Sequence, residues 1–419
     1  MKREIVKYVS GRVIPAIVTL VFIILAVRYL GPVEYGRYSL LFYTVLLAVA
    51  LSFHWVQASI SRFLRDSAGE PGVALNRFFY LTVLCALCST LIVALAGVFL
   101  FHATPAALIL VILFAFLNHF YLFHQAILKA HNRSVRLALL EGADQLFFIA
   151  VFVAGLFLFH WRSSLLIFGS LAVGMAGALT LRFLIRVKGM ISIDFRHPQW
   201  DTRFSGKVIG FGYRLSLWLF LSHLLMAADR FILLEFFGYH EAGSFSALKD
   251  ILFKGVMVLT FPIYISYQAK IADRVSSGKK REAWVLTREA LSFEVLVFIL
   301  GFIIFMIVKQ PLLNHVLGIP GMENWLVYLP LMISAFLWHT AILLQLFLES
   351  DARFIRMILA AGFCVGLNIA LNLVFVPRFG ITAAALALLA STGCYCLFIF
   401  GFSLVLRRKI ESEIPGMKS

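Results

Sequence analysis

The chain has few charged residues for its length. Asp, Glu, Lys and Arg make up 14% of its 419 residues, hydrophobic types make up 62%, and the mean hydropathy is +0.94. A soluble domain carries about 25% charged and about 45–50% apolar residues. This composition excludes an ordinary water-soluble globular protein and indicates a chain whose apolar surface faces lipid.

Cysteine is also scarce, and none of the five cysteines has the partners of a metal site. They are Cys85, Cys88, Cys364, Cys394 and Cys396. All lie in apolar runs, without His or Cys neighbours at zinc-ligand spacing. We predict packing roles for them and no metal site. The first apolar run lacks a small-residue cleavage site, so we expect it to remain as a membrane span.

Apolar runs long enough to cross a bilayer recur along the whole chain. A hydrocarbon core of about 30 Å needs about 20 apolar residues in a helix. We therefore predict an all-α membrane protein with about twelve transmembrane helices. Their approximate ranges are 8–30, 37–61, 78–101, 105–128, 136–160, 164–185, 208–236, 243–268, 285–308, 325–348, 355–376 and 382–406.

Acidic residues are the rarer charge, with 21 Asp and Glu against 37 Lys and Arg and a net charge of +16. On a soluble chain this excess would suggest nucleic acid, but here the basic residues collect between the apolar runs. If both termini are cytoplasmic, 27 of the 37 basic residues lie on the cytoplasmic side and 6 on the opposite side. The positive-inside rule describes this bias. We predict cytoplasmic termini and no nucleic-acid partner.

Two short segments, 207 residues apart, repeat one pattern. Residues 30–39 read LGPVEYGRYS and residues 237–246 read FGYHEAGSFS, so Gly, Glu, Gly and Ser recur in register. Turn geometry explains the glycines but not the accompanying Glu and Ser. Six spans per half give a parallel repeat about an axis along the membrane normal. We predict an N-terminal six-helix bundle at 1–190, a cytoplasmic linker at 191–207 and a C-terminal six-helix bundle at 208–419.

Three segments resemble one known family. They read GPVEYGRY at 31–38, DRFILLEFFGYHEAG at 229–243 and NLVFVPRFGI at 372–381. Together with the length and the twelve-span plan, they are similar to the polysaccharide transport family. These are the O-antigen and exopolysaccharide flippases of the multidrug/oligosaccharidyl-lipid/polysaccharide exporter superfamily. The third segment departs from the family pattern, because Thr382 and Ala383 stand where a second glycine is usual.

The resemblance implies two bundles related by a parallel pseudo-two-fold, with a V-shaped central cavity lined by spans one, two, seven and eight. It implies a flippase of the bacterial inner membrane, not an enzyme. An undecaprenyl-pyrophosphate-linked oligosaccharide, the repeat unit of an O-antigen or exopolysaccharide, would move from the cytoplasmic to the periplasmic leaflet by alternating access. The implied partners are this lipid and membrane lipids. The resemblance also allows a polysaccharide polymerase and a chain-length regulator as partners. We expect no cofactor, and coupling to H⁺ or Na⁺ stays open.

Four basic residues fall inside predicted spans, where a charge costs roughly 2.5–3.5 kcal/mol, and three of them are candidates for the substrate site. Arg12 and Arg214 lie about one turn inside spans one and seven, and Lys254 lies near the middle of span eight. We predict that all three contact the anionic part of the substrate. Snorkelling to the membrane surface is the alternative for Arg12 and Arg214. For Lys254 the alternative is an ion pair with Asp250, four residues earlier.

Further charges in the spans are candidates for ion coupling or gating, namely Glu141, Asp144, Asp229, Arg230 and Asp250. Glu141 and Asp144 lie three residues apart on span five, where they could bind a cation or a proton, or pair with nearby arginines. Asp229 and Arg230, near the outer end of span seven, are either an external gate or interface anchors. Glu294 on span nine lies deeper than an interface residue should.

Other functions fit parts of the sequence. A multidrug or other small-molecule antiporter of the same superfamily would share the plan, although basic residues in the spans favour an anionic substrate. An integral-membrane glycosyltransferase or polymerase needs catalytic loops, whereas the predicted outer loops are short and carry single carboxylates at Glu34, Glu241 and Glu323. A major-facilitator transporter fits twelve spans, but the loop after span two lacks that family's Gly- and Arg-rich pattern.

Overall fold

The computed structural model describes residues 2–66, 71–131, 133–184, 202–319, 323–350 and 354–412, which are helical apart from short turns. No strand occurs among these described residues. The elements are α1 (Lys2–Ser52), α2 (His54–Asp66), α3 (Pro71–Phe99), α4 (Pro105–Ala130), α5 (Ser134–Phe157), α6 (Ser164–Leu184), α7 (Thr202–Ser276), α8 (Lys280–Gln310), a π-helical segment (Pro311–Leu317), α9 (Trp325–Ser350) and α10 (Phe354–Ser412).

Nine of the described helices contain an apolar stretch long enough to cross a membrane. The three longest helices, α1, α7 and α10, are each interrupted by one glycine with non-helical backbone angles. Each of them therefore comprises two spans, and the described helices supply twelve. The predicted fold class, an all-α membrane protein with twelve transmembrane helices, is confirmed.

The glycines that interrupt α1 and α7 are the first glycines of the two repeated segments. Gly31 has φ 83° and ψ 166°, and Gly238 has φ 76° and ψ −173°. This region of positive φ is open to glycine and costs other L-residues roughly 1–2 kcal/mol. The same turn thus recurs at the same place in both halves, so the sequence repeat is also a repeat of backbone geometry. Gly380, with φ 56°, interrupts α10.

Glu34, the acidic member of the first repeat, caps a helix. Its Oε2 accepts a 2.7 Å hydrogen bond from the backbone N–H of Ser164, the first residue of α6, and its Oε1 lies 2.6 Å from Nη1 of Arg37. A carboxylate is favourable at a helix N-terminus because unpaired N–H groups point towards it. In the second repeat, the ring of Phe237 lies beside Gly380 of α10. Each repeated turn therefore packs on a later helix of its own half.

The chain divides into two compact units. Unit one comprises Met1–Val18 and Tyr29–His223, and unit two comprises Thr19–Arg28 and Leu224–Ser419. Arg28, at the end of the α1 stretch that is part of unit two, donates a hydrogen bond to the carbonyl of His315 in the π-helical segment.

These units differ from the predicted bundles, because the contact boundary falls after His223 and not before residue 208. Residues 191–201 of the predicted linker 191–207 lie outside the described residues. The chain is helical from Thr202. The first part of α7 therefore belongs to unit one by its contacts.

The start of α7 approaches the end of α1 and the start of α2 very closely in unit one. A Cβ atom added at Gly212 would lie 2.2 Å from the carbonyl oxygen of Trp55 and 2.7 Å from its Cα. Ser216, one turn later, donates a hydrogen bond to the carbonyl of Ala50. Glycine at this position therefore lets two helices touch backbone to backbone.

Candidate functional site

Four charged side chains of unit two form two ion pairs between the two halves of α7. Asp229 and Arg230 precede Gly238, whereas Lys249 and Asp250 follow it. Asp229 pairs with Lys249, and Arg230 pairs with Asp250. Each half of the helix thus supplies one acidic and one basic residue, and the group is neutral as a whole. We call these four residues the ion-pair quartet.

The Lys249–Asp229 pair is enclosed by protein. Lys249 is 1% exposed and Asp229 is fully buried. The Nζ atom of Lys249 lies 2.5 Å from Oδ2 of Asp229 and donates a 2.7 Å hydrogen bond to the carbonyl of Met226. The rings of Phe245 and Phe253 each have their centroid 5.8 Å from the ammonium, within cation–π range. These contacts compensate a charge whose burial would otherwise cost several kcal/mol.

The Arg230–Asp250 pair is bidentate. Nη2 of Arg230 lies 2.6 Å from Oδ1 of Asp250, and Nη1 lies 3.0 Å from Oδ2. Paired bonds of this kind fix orientation as well as charge. Arg230 and Asp229 are both fully buried. Their burial does not fit the alternative that these two residues are interface anchors. Their role as a gate stays a prediction.

Lys254 lies one turn beyond Asp250 and is half-buried. Asp250 binds Arg230 through both oxygens, and it acts on Lys254 electrostatically without forming an ion pair with it. Lys254 forms no ion pair with any residue that the structure describes. The ionisable groups that act on it are Asp250 and Arg230, and it acts in turn on His339 of α9. Since the quartet is neutral, Lys254 adds one surplus positive charge beside it.

Lys249 is a site residue to which the sequence patterns assign no role, and the structure buries it in unit two. A signal for its position was present, since Asp229 lies nine residues before Gly238 and Lys249 eleven residues after it. A hairpin that turns at this glycine brings both to a similar depth, about 14–17 Å from the turn at 1.5 Å per residue.

The other two basic candidates are less enclosed or less fully described. Arg214 is exposed, and its Nε donates a 3.2 Å hydrogen bond to the hydroxyl of Tyr213. The backbone of Arg12 is part of α1, but its side chain is outside the described part of the chain. Arg214 belongs to unit one and Lys254 to unit two. A shared role in substrate binding stays a prediction.

Asp144 and Glu141 share a polar cluster in unit one. Asp144 is 7% exposed, and its Oδ2 accepts a 3.3 Å hydrogen bond from the side-chain amide of Gln145. Tyr121 of α4 faces the same carboxylate, and half-buried Glu141 acts on it electrostatically. α6 approaches at Gly174, where an added Cβ would lie 3.1 Å from Oδ1 of Asp144. Cation or proton binding by this cluster stays a prediction.

Solved structures with the same fold are transporters. The chain is similar to a multidrug resistance MATE family transporter of the MOP superfamily in an inward-facing conformation, with 12% identity, TM-score 0.70, and coverage of 96% of this chain and 95% of that one. It is also similar to a MOP superfamily transporter from Pyrococcus furiosus, with 12% identity, TM-score 0.69 and coverage of 97% and 95%. A MATE transporter of Vibrio cholerae matches with 11% identity, TM-score 0.69 and coverage of 97% of both chains.

At these identities, the structural matches establish the fold alone. A search of curated protein sequences finds no match. The family model described as "Polysaccharide biosynthesis protein" matches residues 1–267, which include both repeated segments and the whole ion-pair quartet. The chain therefore belongs to the polysaccharide biosynthesis protein family and has the fold of a MOP superfamily transporter.

Proposed function

We propose that the protein is a flippase that moves an undecaprenyl-pyrophosphate-linked oligosaccharide from the cytoplasmic to the periplasmic leaflet of the bacterial inner membrane. Membership of a polysaccharide biosynthesis family on a transporter fold supports a membrane exporter that acts in polysaccharide synthesis. A transporter in such a pathway needs a substrate that carries sugar and starts in the membrane. A lipid-linked oligosaccharide meets both needs.

The position of Lys254 is the observation that supports an anionic, lipid-linked substrate. The quartet beside it is neutral by its own pairing, so Lys254 supplies a positive charge without an ion-pair partner among the described residues. A charge inside a membrane span is retained only where it serves a partner or a water-filled path. The diphosphate of a lipid carrier is an anion that would compensate this charge. Arg214 and Arg12 are the further basic groups that we assign to the same substrate.

Polarity of the binding pocket also varies within this superfamily. The Pyrococcus furiosus transporter has a binding pocket of reversed polarity, which suggests a different function for that protein. A change in the polarity of the binding pocket is therefore compatible with the shared fold.

A small-molecule antiporter is the second candidate function. Two structural neighbours are described as multidrug resistance transporters, and Asp144 and Glu294 provide buried acidic groups. The two functions differ in the charge of the substrate that Lys254 would accept or repel. An assay that offers both substrate types to one preparation therefore separates them.

The test uses proteoliposomes that contain the purified protein and a lipid-linked oligosaccharide. A membrane-impermeant lectin reports the glycan on the outer leaflet, and a cationic dye is offered in parallel. We expect glycan exposure to change with time only in vesicles that contain the protein, and no dye transport. In cells, deletion should leave the lipid-linked oligosaccharide on the cytoplasmic leaflet and abolish a surface glycan. Normal surface glycan in a deletion strain without a second flippase gene would contradict the proposal.

A further inference from the structure

α8 carries a single buried stripe on an otherwise largely exposed surface. Its buried residues recur at helical spacing, and most of the others are exposed, such as Ile304 at 59% and Ile307 at 73%. Glu294 lies on this stripe and is 2% exposed. The stripe members in the described helix are Ala283, Trp284, Thr287, Ala290, Glu294 and Phe305. One ionisable group therefore occupies the face of α8 that packs on protein.

The register of α8 against α9 determines which residues of α9 lie opposite Glu294. Three aromatic contacts join these helices in antiparallel order, with centroid distances of 5.8 Å for Trp284–Phe347, 4.2 Å for Phe298–Phe336 and 5.7 Å for Phe305–Tyr328. In this register Glu294 lies opposite Thr340, four residues from each member of the stacked Phe298–Phe336 pair. Aromatic side chains thus pack between α8 and α9 on both sides of Glu294 and Thr340.

Glu294 also lies close to the middle of the membrane. The predicted span 285–308 has its centre near residue 296, so Glu294 is about 3 Å from the centre at 1.5 Å per residue. At this depth its short side chain cannot reach either membrane surface. The nearest charged residues along α8, Arg288 and Glu289, are exposed and lie towards the N-terminal end of the helix.

The carboxylate of Glu294 has no charged partner among the described residues and only the hydroxyl of Thr340 as a polar neighbour. Both of its oxygens are buried and make no hydrogen bond of good geometry, and the nearby hydroxyl of Thr340 is the one described polar group close enough to act on them. The thiol of Cys396 in α10 is the titratable group that faces it from the third helix. Neither neighbour carries a positive charge. An ionised carboxylate here would be uncompensated, and such a charge costs several kcal/mol in a protein interior.

We propose that Glu294 is a proton-binding site through which the proton gradient drives transport. In the arrangement described here the carboxyl group holds a proton and is neutral, which fits its apolar surroundings. The site releases the proton when α8 and α9 separate enough for water to reach it. Proton binding stands on the geometry of Glu294 alone, and the coupling to transport rests on the proposed flippase function.

A proton fits this site better than a metal cation. A hard cation such as Ca²⁺ or Mg²⁺ takes about six or more oxygen ligands, whereas Glu294 faces one hydroxyl and one thiol. No group of three or more His, Cys, Asp or Glu residues suitable for a metal occurs in the part of the chain that the structure describes. The site therefore lacks the donors for a metal and has the single carboxyl that a proton requires.

Infrared spectroscopy of the purified protein in lipid tests proton binding without transport. We expect a carbonyl stretching band of a protonated carboxyl at neutral pH, which is lost when the pH is raised and is absent in Glu294→Gln. Glu289→Gln is the matched control, because it removes an exposed carboxyl from the same helix, and it should leave the band unchanged. A band identical in wild type and Glu294→Gln would overturn the proposal. So would a carboxylate signal of Glu294 that responds to Na⁺ and not to pH.

Transport under an imposed pH gradient tests the coupling. One pH unit is equivalent to about tenfold in an equilibrium constant for one coupled proton. We expect a gradient of one unit to change the accumulation ratio of the lipid-linked oligosaccharide up to about tenfold in wild type and in Glu289→Gln. In Glu294→Gln the change should be under about twofold, and Glu294→Asp should restore part of it. Equal gradient dependence in wild type and Glu294→Gln would overturn the coupling. Absence of any oligosaccharide transport by wild type would instead refute the flippase function and leave the infrared result in place.

Discussion

At the scale of single residues, Lys249 and Lys254 lie five positions apart in α7 but have different electrostatic surroundings. Lys249 is buried against Asp229 and the carbonyl of Met226. Lys254 is half-buried, and the carboxylate nearest to it along the helix, Asp250, is bound by Arg230. Loss of the first lysine leaves a buried carboxylate uncompensated, whereas loss of the second does not. The same substitution at the two positions should therefore affect different properties.

The first prediction concerns stability at Lys249. Lys249→Met should lower the free energy of unfolding by about 3–5 kcal/mol, because it leaves the buried charge of Asp229 unpaired. The double variant Asp229→Asn with Lys249→Met should recover most of this loss. Lys270→Met is the matched control, since Lys270 is exposed on the same helix. Thermal unfolding in detergent and the protein level in membranes measure the effect. A stable Lys249→Met single variant would contradict the role of this pair.

The second prediction concerns transport at Lys254. Lys254→Met should keep the wild-type unfolding temperature, because its removal leaves Asp250 paired with Arg230. Transport of the lipid-linked oligosaccharide should fall by about tenfold or more, as expected for the loss of a charged hydrogen bond of about 1.5–3 kcal/mol. Lys254→Arg should retain part of the activity, because the charge persists while the geometry changes. Unchanged transport by a stable Lys254→Met protein would remove this residue from the substrate site.

At the scale of helices, the contact between α7 and the start of α2 depends on one missing side chain. The third prediction is that Gly212→Ala destabilises the protein by about 1–3 kcal/mol, since a Cβ would lie 2.2 Å from a backbone oxygen that cannot move independently. Gly210→Ala is the control, because a Cβ there has nothing within 4 Å. The unfolding temperatures of the two variants, measured side by side, test this prediction, and that of Gly212→Ala should be the lower. Equal temperatures would show that the close approach is not required.

The helices also show which features the sequence could predict. The twelve spans and the positive φ of Gly31 and Gly238 followed from apolar run length and from glycine spacing. The partner of Asp250 did not follow, because a choice between Lys254 in the same helix half and Arg230 across the hairpin depends on how two spans pack. Spacing along one helix offered Lys254 as the alternative partner of Asp250, whereas tertiary packing gave a bidentate bond to Arg230.

At the scale of the whole molecule, the orientation in the membrane is set by the distribution of basic residues. The fourth prediction is that both termini are cytoplasmic, because 27 of the 37 Lys and Arg residues then lie on that side. Reporter fusions at Lys418 and within residues 275–281 should report the cytoplasm, and a fusion near Gly318 should report the periplasm. A periplasmic reporter signal at the C-terminus would contradict this orientation.

Family membership and fold were accessible from the sequence, whereas the unit boundary was not. Motifs and span count pointed to a polysaccharide transporter, and the family match and the transporter fold agree with this. The boundary after His223 could not be read from composition, because α7 is continuously helical there and only its contacts change. Lys249 shows the same limit, since a charge near a predicted turn reads as exposed until the packing around it is known.

The single glycines that join spans in α1, α7 and α10 have a consequence for how the chain is made. These helices leave the ribosome as continuous stretches of 51, 75 and 59 residues, with little hydrated connection between their halves. A translocon therefore has almost no aqueous segment at which to release the first half before the second arrives. Nascent chains arrested between the two halves of α7 should remain cross-linked to the translocon until the second half emerges. For these three segments, the helical hairpin is then the unit of biosynthetic insertion.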